Sequence, residues 1–148
     1  MTNENISKLK LLSEDIKDLQ VFSAYLQDSV IVTNDIKFLP KTKKLICVFN
    51  RFMWEDAEKG IFRKNKRIRS ALVFDKVLKV KSKGINPKKK SKILEFLAIK
   101  TEIIDNYFDI RLIFSGDSVL LVKAEEIDSS LEDFGKIWET SYKPKHKI

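Results

Sequence analysis

Phe108-Asp109-Ile110-Arg111-Leu112-Ile113-Phe114 places Phe108, Ile110, Leu112 and Phe114 on one side of an extended chain and Asp109 and Arg111 on the other. That period of two is the mark of a half-buried β-strand. Turn chemistry stands on both sides, with Asp105-Asn106 before the stretch and Ser115-Gly116-Asp117-Ser118 after it. Residues 93–103 and 119–125 are apolar enough to flank it, which predicts a three-stranded meander over the last third of the chain.

Working outward, residues 67–74 alternate in the same way, with Ile68, Ser70, Leu72 and Phe74 against Arg67, Arg69, Ala71 and Val73. Asp75-Lys76 then reads as a two-residue turn into a strand over 77–83. Residues 44–54 are apolar at both parities in their first half, as expected of a strand covered on both faces. Residues 30–39 read as extended, with Asn34-Asp35 a bulge or tight turn and Pro40 opening the next turn. Ser13 before Glu14 and Asp15 is an N-cap signal, and Ile16, Leu19, Phe22 and Leu26 recur at spacings of three and four, so 14–27 is predicted helical. Ser129 and Glu132 have capping-box spacing ahead of Gly135, which predicts a second, short helix.

The fold class is therefore α+β: a bent antiparallel β-sheet or partly open β-roll of about seven strands, covered by the N-terminal helix and followed by the short C-terminal one. A run of hairpins ending in a short helix also fits a pleckstrin-like barrel. The 148 residues, 43% hydrophobic, suit one domain spanning 1–148, with 1–7 and 136–148 as loosely ordered or docked tails. No apolar run reaches the roughly 18 residues of a membrane span. The polar start has no apolar signal segment and Cys47 is the sole thiol, so a cytoplasmic location is expected.

The net charge of +8 invites a polyanion, yet 24 of the 29 basic residues are Lys and five are Arg. Arg is the residue whose planar fork reads phosphates and base edges, and Lys-rich composition also follows from an AT-rich genome, so nucleic acid is not the expected partner. The basic stretch Lys88-Lys89-Lys90-Ser91-Lys92 with Lys79, Lys81 and Lys83 has no interleaved aromatic residue for stacking. One Cys and one His, His146, cannot make a Cys/His zinc site, and four scattered glycines cannot make a phosphate-cradling loop. No catalytic residue, metal or cofactor is expected.

One cluster rises above this background. Arg51, Arg63, Arg67 and Arg69 fall within nineteen residues, beside Asn50 and Trp54. If residues 44–54 pair with 67–74, Arg51 approaches Arg67 and Arg69, and guanidinium forks beside an indole suit a carboxylate or phosphate. Asn50, Arg51, Trp54, Arg67 and Arg69 are thus the candidate anion- or partner-binding residues of a non-catalytic binding or adaptor domain for a protein or small acidic ligand. The plainer reading pairs the arginines with Glu55, Asp56 and Glu58 on a sheet face. A small enzyme using carboxylates and Lys, or a weak nucleic-acid binder, is the alternative. In the tail, Trp138 and Tyr142 either dock on the domain or anchor a partner.

The run from Leu45 to Asp56, with Asn50-Arg51-Phe52 and Trp54-Glu55, followed by Arg67-Ile68-Arg69-Ser70-Ala71-Leu72-Val73-Phe74, resembles the bacterial domain-of-unknown-function family 2948, found mainly in alphaproteobacteria. The early Glu14-Asp15, Asp18-Leu19 and Leu26-Gln27-Asp28 and the late Trp138 and Pro144-Lys145-His146 share the resemblance. It implies a bacterial source and no particular activity.

Overall fold

The computed structural model describes residues 9–53, 66–86 and 91–139, with side chains as far as 135. In chain order the elements are β1 (Lys10–Ser13), α1 (Ile16–Leu26), β2 (Val30–Val32), a 3-10 turn (Thr33–Asp35), β3 (Ile36–Leu39), β4 (Lys44–Phe52), β5 (Lys66–Phe74), β6 (Val77–Lys83), β7 (Ile93–Ile104), β8 (Tyr107–Phe114), β9 (Ser118–Ala124) and β10 (Ser129–Glu139). The strands form one antiparallel path, β1-β10-β5-β4-β2-β7-β8-β9-β6, with β3 also on β4.

The expectation of about seven strands and two helices is corrected to ten strands and one α-helix among the described residues, of which 63% are in strand and 13% helical. Three local effects account for the difference. Residues 30–39 make two strands, because the Thr33–Asp35 turn inserts residues between the pairings Val30↔Asn50 and Ile36↔Cys47. Lys10–Ser13 is a strand of four residues that exposes Leu12 and buries Ser13, the reverse of hydropathy. The predicted C-terminal helix is β10: Ser129 Oγ donates to the Val73 carbonyl (2.8 Å) across the ladder instead of capping, and Ser129, Leu131 and Asp133 alternate inward. Gly135 has the left-handed φ of +76° expected after a helix, but here it marks the slip between Phe134↔Arg69 and Trp138↔Arg67. With that helix goes the reason for a pleckstrin-like barrel.

Asp75-Lys76 also does not close a hairpin. Asp75 N–H donates to the Asp128 carbonyl and Val77 N–H to that of Lys43, both 2.8 Å, so the chain leaves β5 and crosses to pair β6 with β9. The meander β7-β8-β9 is as predicted. β7 joins the two halves of the sheet, pairing with β2 at Ile93–Glu95 and with β8 from Phe96 onward. A bulge at Leu97 shifts the parity there, so Phe96 and Ile99, three residues apart, are both buried.

Asp15 caps α1, accepting from Asp18 N–H at 2.8 Å, two residues later than the predicted Ser13. Leu19, Phe22 and Leu26 are buried against the sheet; at about 1.5–3 kcal/mol each they hold the helix far more strongly than its own 11 residues would. Phe96 sits at the centre of the core, edge-on to Phe49 (5.6 Å) and to Phe114 (6.1 Å). Cys47 is buried beside them on β4, which pushes its thiol up to about 12 and leaves it protonated and inert.

Two glycines with left-handed φ give a paired test. A Cβ on Gly84 (φ +75°) would stand 2.6 Å from the Asp117 carbonyl oxygen, whereas one on Gly116 (φ +72°) would meet nothing within 4 Å. Gly116→Ala is expected to cost only the backbone term of about 1–2 kcal/mol. Gly84→Ala must in addition displace the β8–β9 turn and disturb the Ser118 Oγ to Gly84 carbonyl bond (2.9 Å), so its melting temperature should fall clearly further. Equal losses in thermal denaturation would remove the close approach from the account.

Candidate functional site

Strands β4 and β5 do pair, with Asn50 opposite Arg69, Arg51 opposite Ile68 and Phe52 opposite Arg67. The pleat therefore divides the predicted cluster. Residues directly opposite share a face, so Asn50, Arg67 and Arg69 lie outward while Arg51 turns inward beside Ile68. Trp54 and Arg63 lie outside the described residues, as do Glu55, Asp56 and Glu58, the acids of the plainer reading.

Arg51 is fully buried, and the structure names its partner as Asp133 of β10, two strands away. Its Nε donates to Asp133 Oδ1 (3.1 Å) and its Nη2 to Oδ2 (2.7 Å), a two-pronged fork. Ser70 Oγ, on the strand between, donates to the same Oδ1, and Leu9 N–H donates to Oδ2 at 2.9 Å. The guanidinium carbon lies 5.7 Å from the centre of the Tyr25 ring on α1. Arg51 is thus an internal tie between β4, β10 and the helix, not a group offered to a ligand. Asp133 escaped the sequence reading because its segment looked helical; its place in the inward series with Ser129 and Leu131 was the available signal.

The outward face of β3, β4, β5, β10 and β1 is a different environment. Its rows run Lys37–Ile46–Val73–Ser130–Leu12, then Val48–Ala71–Glu132–Lys10, then Asn50–Arg69–Phe134. Ile46, Val48, Ala71 and Val73 are half-buried, while Leu12 is 71% and Phe134 40% exposed. Arg69 lies over the Phe134 ring (5.8 Å) and reaches Asp35 at 3.6 Å with its side chain about half exposed. Arg67 lies over Phe52 (5.6 Å) and donates to the Asn50 carbonyl at 3.2 Å. The result is a shallow aliphatic strip bordered by two guanidinium groups that aromatic rings hold in place. Lys79, Lys81 and Lys83 of the second sequence candidate stand instead on β6, which pairs with β9 at one end of the strand order; Lys88–Lys90 lie outside the described residues.

Among the described residues, carboxylates meet a lysine in a cleft of about 410 Å³ lined by Glu14, Lys76, Phe108, Glu126, Ile127 and Asp128, and again in one of about 320 Å³ that includes Asp105, Asp109 and Lys123. Lys76 Nζ is 2.7 Å from Glu126 and 3.6 Å from Asp128. The hydrogen bond and charge of Glu126 hold its pKa above the ordinary lysine value. A nucleophilic lysine needs the opposite shift. Among the described residues, no three His, Cys, Asp or Glu side chains gather to hold a metal ion. No helix among them is long and apolar enough to cross a membrane.

Compared with known proteins, the chain matches one family model, described as a protein of unknown function (DUF2948), over residues 9–146. No curated protein and no solved structure matches it.

Proposed function

Since the chain belongs to the DUF2948 family, a family of unknown function, we propose a function drawn from its surface: a non-catalytic binding or adaptor domain that receives an acidic, partly apolar protein segment on the outward face of β4, β5 and β10. The observation that carries this reading is the strip Ile46, Val48, Ala71 and Val73, left half-buried and flanked by Arg67 and Arg69. Burying such a strip supplies the non-directional part of an affinity, and the guanidinium forks supply the choice of an acidic partner. The Phe134 and Phe52 rings hold both forks in place before binding, which lowers the ordering cost. The same reading sets the domain in the cytoplasm of a bacterium, chiefly an alphaproteobacterium, in keeping with the resemblance and the single, unpaired thiol.

Arg51 has no place in the test, because its replacement removes a buried ion pair and destabilises the chain outright. The informative variant is Arg67→Ala/Arg69→Ala. A photo-crosslinker placed at Ala71 should capture a partner from bacterial lysate, while one placed at Gln20, exposed on the opposite, helical side, should not. In the arginine variant the capture at Ala71 should fall roughly tenfold or more, which corresponds to about 1.4 kcal/mol. Undiminished capture, or equal capture from Gln20, would refute the face.

A further inference from the structure

The other half of the sheet carries a second surface of different character. On the outward side of β7, β8, β9 and β6, one row reads Lys100–Arg111–Leu121–Lys81 and the next reads Glu102–Asp109–Lys123–Lys79. Lys83 continues the β6 series. All six cations are exposed, and of the two acids in these rows Asp109 is engaged by Arg111 at 3.2 Å. Positive charge is crowded enough that Lys81 first, then Lys123, hold Lys79 below the ordinary lysine pKa. The acids beyond the far end of β9 do not offset this, since Glu125 pairs with Lys43 and Glu126 with Lys76, each at 2.7 Å.

The same rows lead to the β7–β8 turn. Its two residues, Asp105 and Asn106, have φ of 50° and 69°, a tight two-residue turn that fixes the tip. There Ile103 is 64%, Ile104 45% and Tyr107 37% exposed. Branched aliphatic side chains at a rigid tip, next to a field of lysines, fit a surface that is apolar just beneath a layer of negative charge. We propose that the β7–β8 tip and the basic face behind it dock on an anionic lipid surface, with Ile103, Ile104 and Tyr107 entering the interface and Lys79, Lys81 and Lys123 meeting the head groups.

A nucleic acid shares the charge requirement but not the apolar one. Strand-binding surfaces present aromatic rings for stacking; Tyr107 is the one ring in these rows, and the Lys123 ammonium lies over it at 4.3 Å. The isoleucines have no task on a phosphodiester backbone. The surface is separate from the arginine-flanked strip, so neither reading depends on the other.

The test uses the full chain and sedimentation with vesicles of phosphatidylcholine, with and without phosphatidylglycerol. The protein should pellet with the anionic vesicles, remain in solution with the neutral ones, and lose affinity as salt rises. Ile103→Ser/Ile104→Ser and Lys79→Glu/Lys81→Glu should each weaken partition roughly tenfold or more with an unchanged circular dichroism spectrum. Arg67→Ala/Arg69→Ala should bind vesicles like wild type. Absence of binding to anionic vesicles at low salt overturns the proposal. So does binding that the isoleucine variant retains in full, or tight binding of a polyuridine strand in place of vesicles.

Discussion

Asp133→Ala should lose about 3–5 kcal/mol of stability, the cost of leaving a buried cation without its partner. For a chain of this size that is a fall of roughly 10 °C in melting temperature. Asp133 accepts from Arg51 twice, from Ser70 and from the Leu9 backbone, and both Arg51 and Asp133 have side chains with no exposure. The alanine variant therefore takes the carboxylate away from a fully buried guanidinium, from the buried Ser70 hydroxyl and from a part-buried backbone N–H. Arg51→Ala should be comparably damaging, because the Asp133 charge is then orphaned and the packing on Tyr25 is lost as well. The coupling shows in the apolar replacement Arg51→Met/Ser70→Ala/Asp133→Leu, which should recover most of the loss, as replacing both charges of a buried pair by apolar residues commonly does. Urea unfolding of the three variants measures this; an Asp133→Ala variant within 1 kcal/mol of wild type would show that the fork is not a structural tie.

Phe96→Ala should be of similar size, again about 3–5 kcal/mol. The ring is fully buried, makes edge-on contacts with Phe49 on β4 and Phe114 on β8, and so joins the two halves of the sheet through the core. Each such contact adds about 0.5–1.5 kcal/mol beyond burial. Its neighbour is the control. Leu97 occupies the bulge and is 44% exposed, so Leu97→Ala should change stability by no more than about 0.5 kcal/mol. Adjacent apolar residues with opposite outcomes would confirm the bulge, and equal losses would place Leu97 in the core.

The parts of the fold that the sequence discloses are those where hydropathy and parity agree. In Phe108–Phe114 and Arg67–Phe74 the inward series is apolar except for Ser70 and is buried from Ile110 and from Ile68 onward, and the strands lie where alternation puts them. The same holds for Leu19, Phe22 and Leu26 on α1. Where a polar residue occupies an inward position the signal reverses. Asp133 in β10 and Ser13 in β1 are buried at inward positions, and the spacing of Ser129, Glu132 and Gly135 imitates a capped helix. The candidate site was half legible for a related reason. Pairing of β4 with β5 could be anticipated, but which arginines share a face depends on register, and Arg51↔Ile68 assigns Arg51 to the inner side. A partner 82 residues away, on a strand read as a helix, was beyond any local pattern.

The position of β10 between β1 and β5 has a consequence for synthesis. It is the last of the ten strands to be made, yet it supplies the neighbour of the first, across the 124 residues that separate Leu9 from Asp133. While a ribosome is still extending the chain, β1 has no ladder to join, and the Asp133 carboxylate has not yet arrived beside the Arg51 guanidinium. The half of the sheet containing β4 and β5 therefore cannot close progressively as it emerges, whereas the β7-β8-β9 meander, made of near neighbours, can form early. Completion waits on one late strand, and until it arrives the open edge of β5 is the place where a nascent chain is most exposed to wrong pairing.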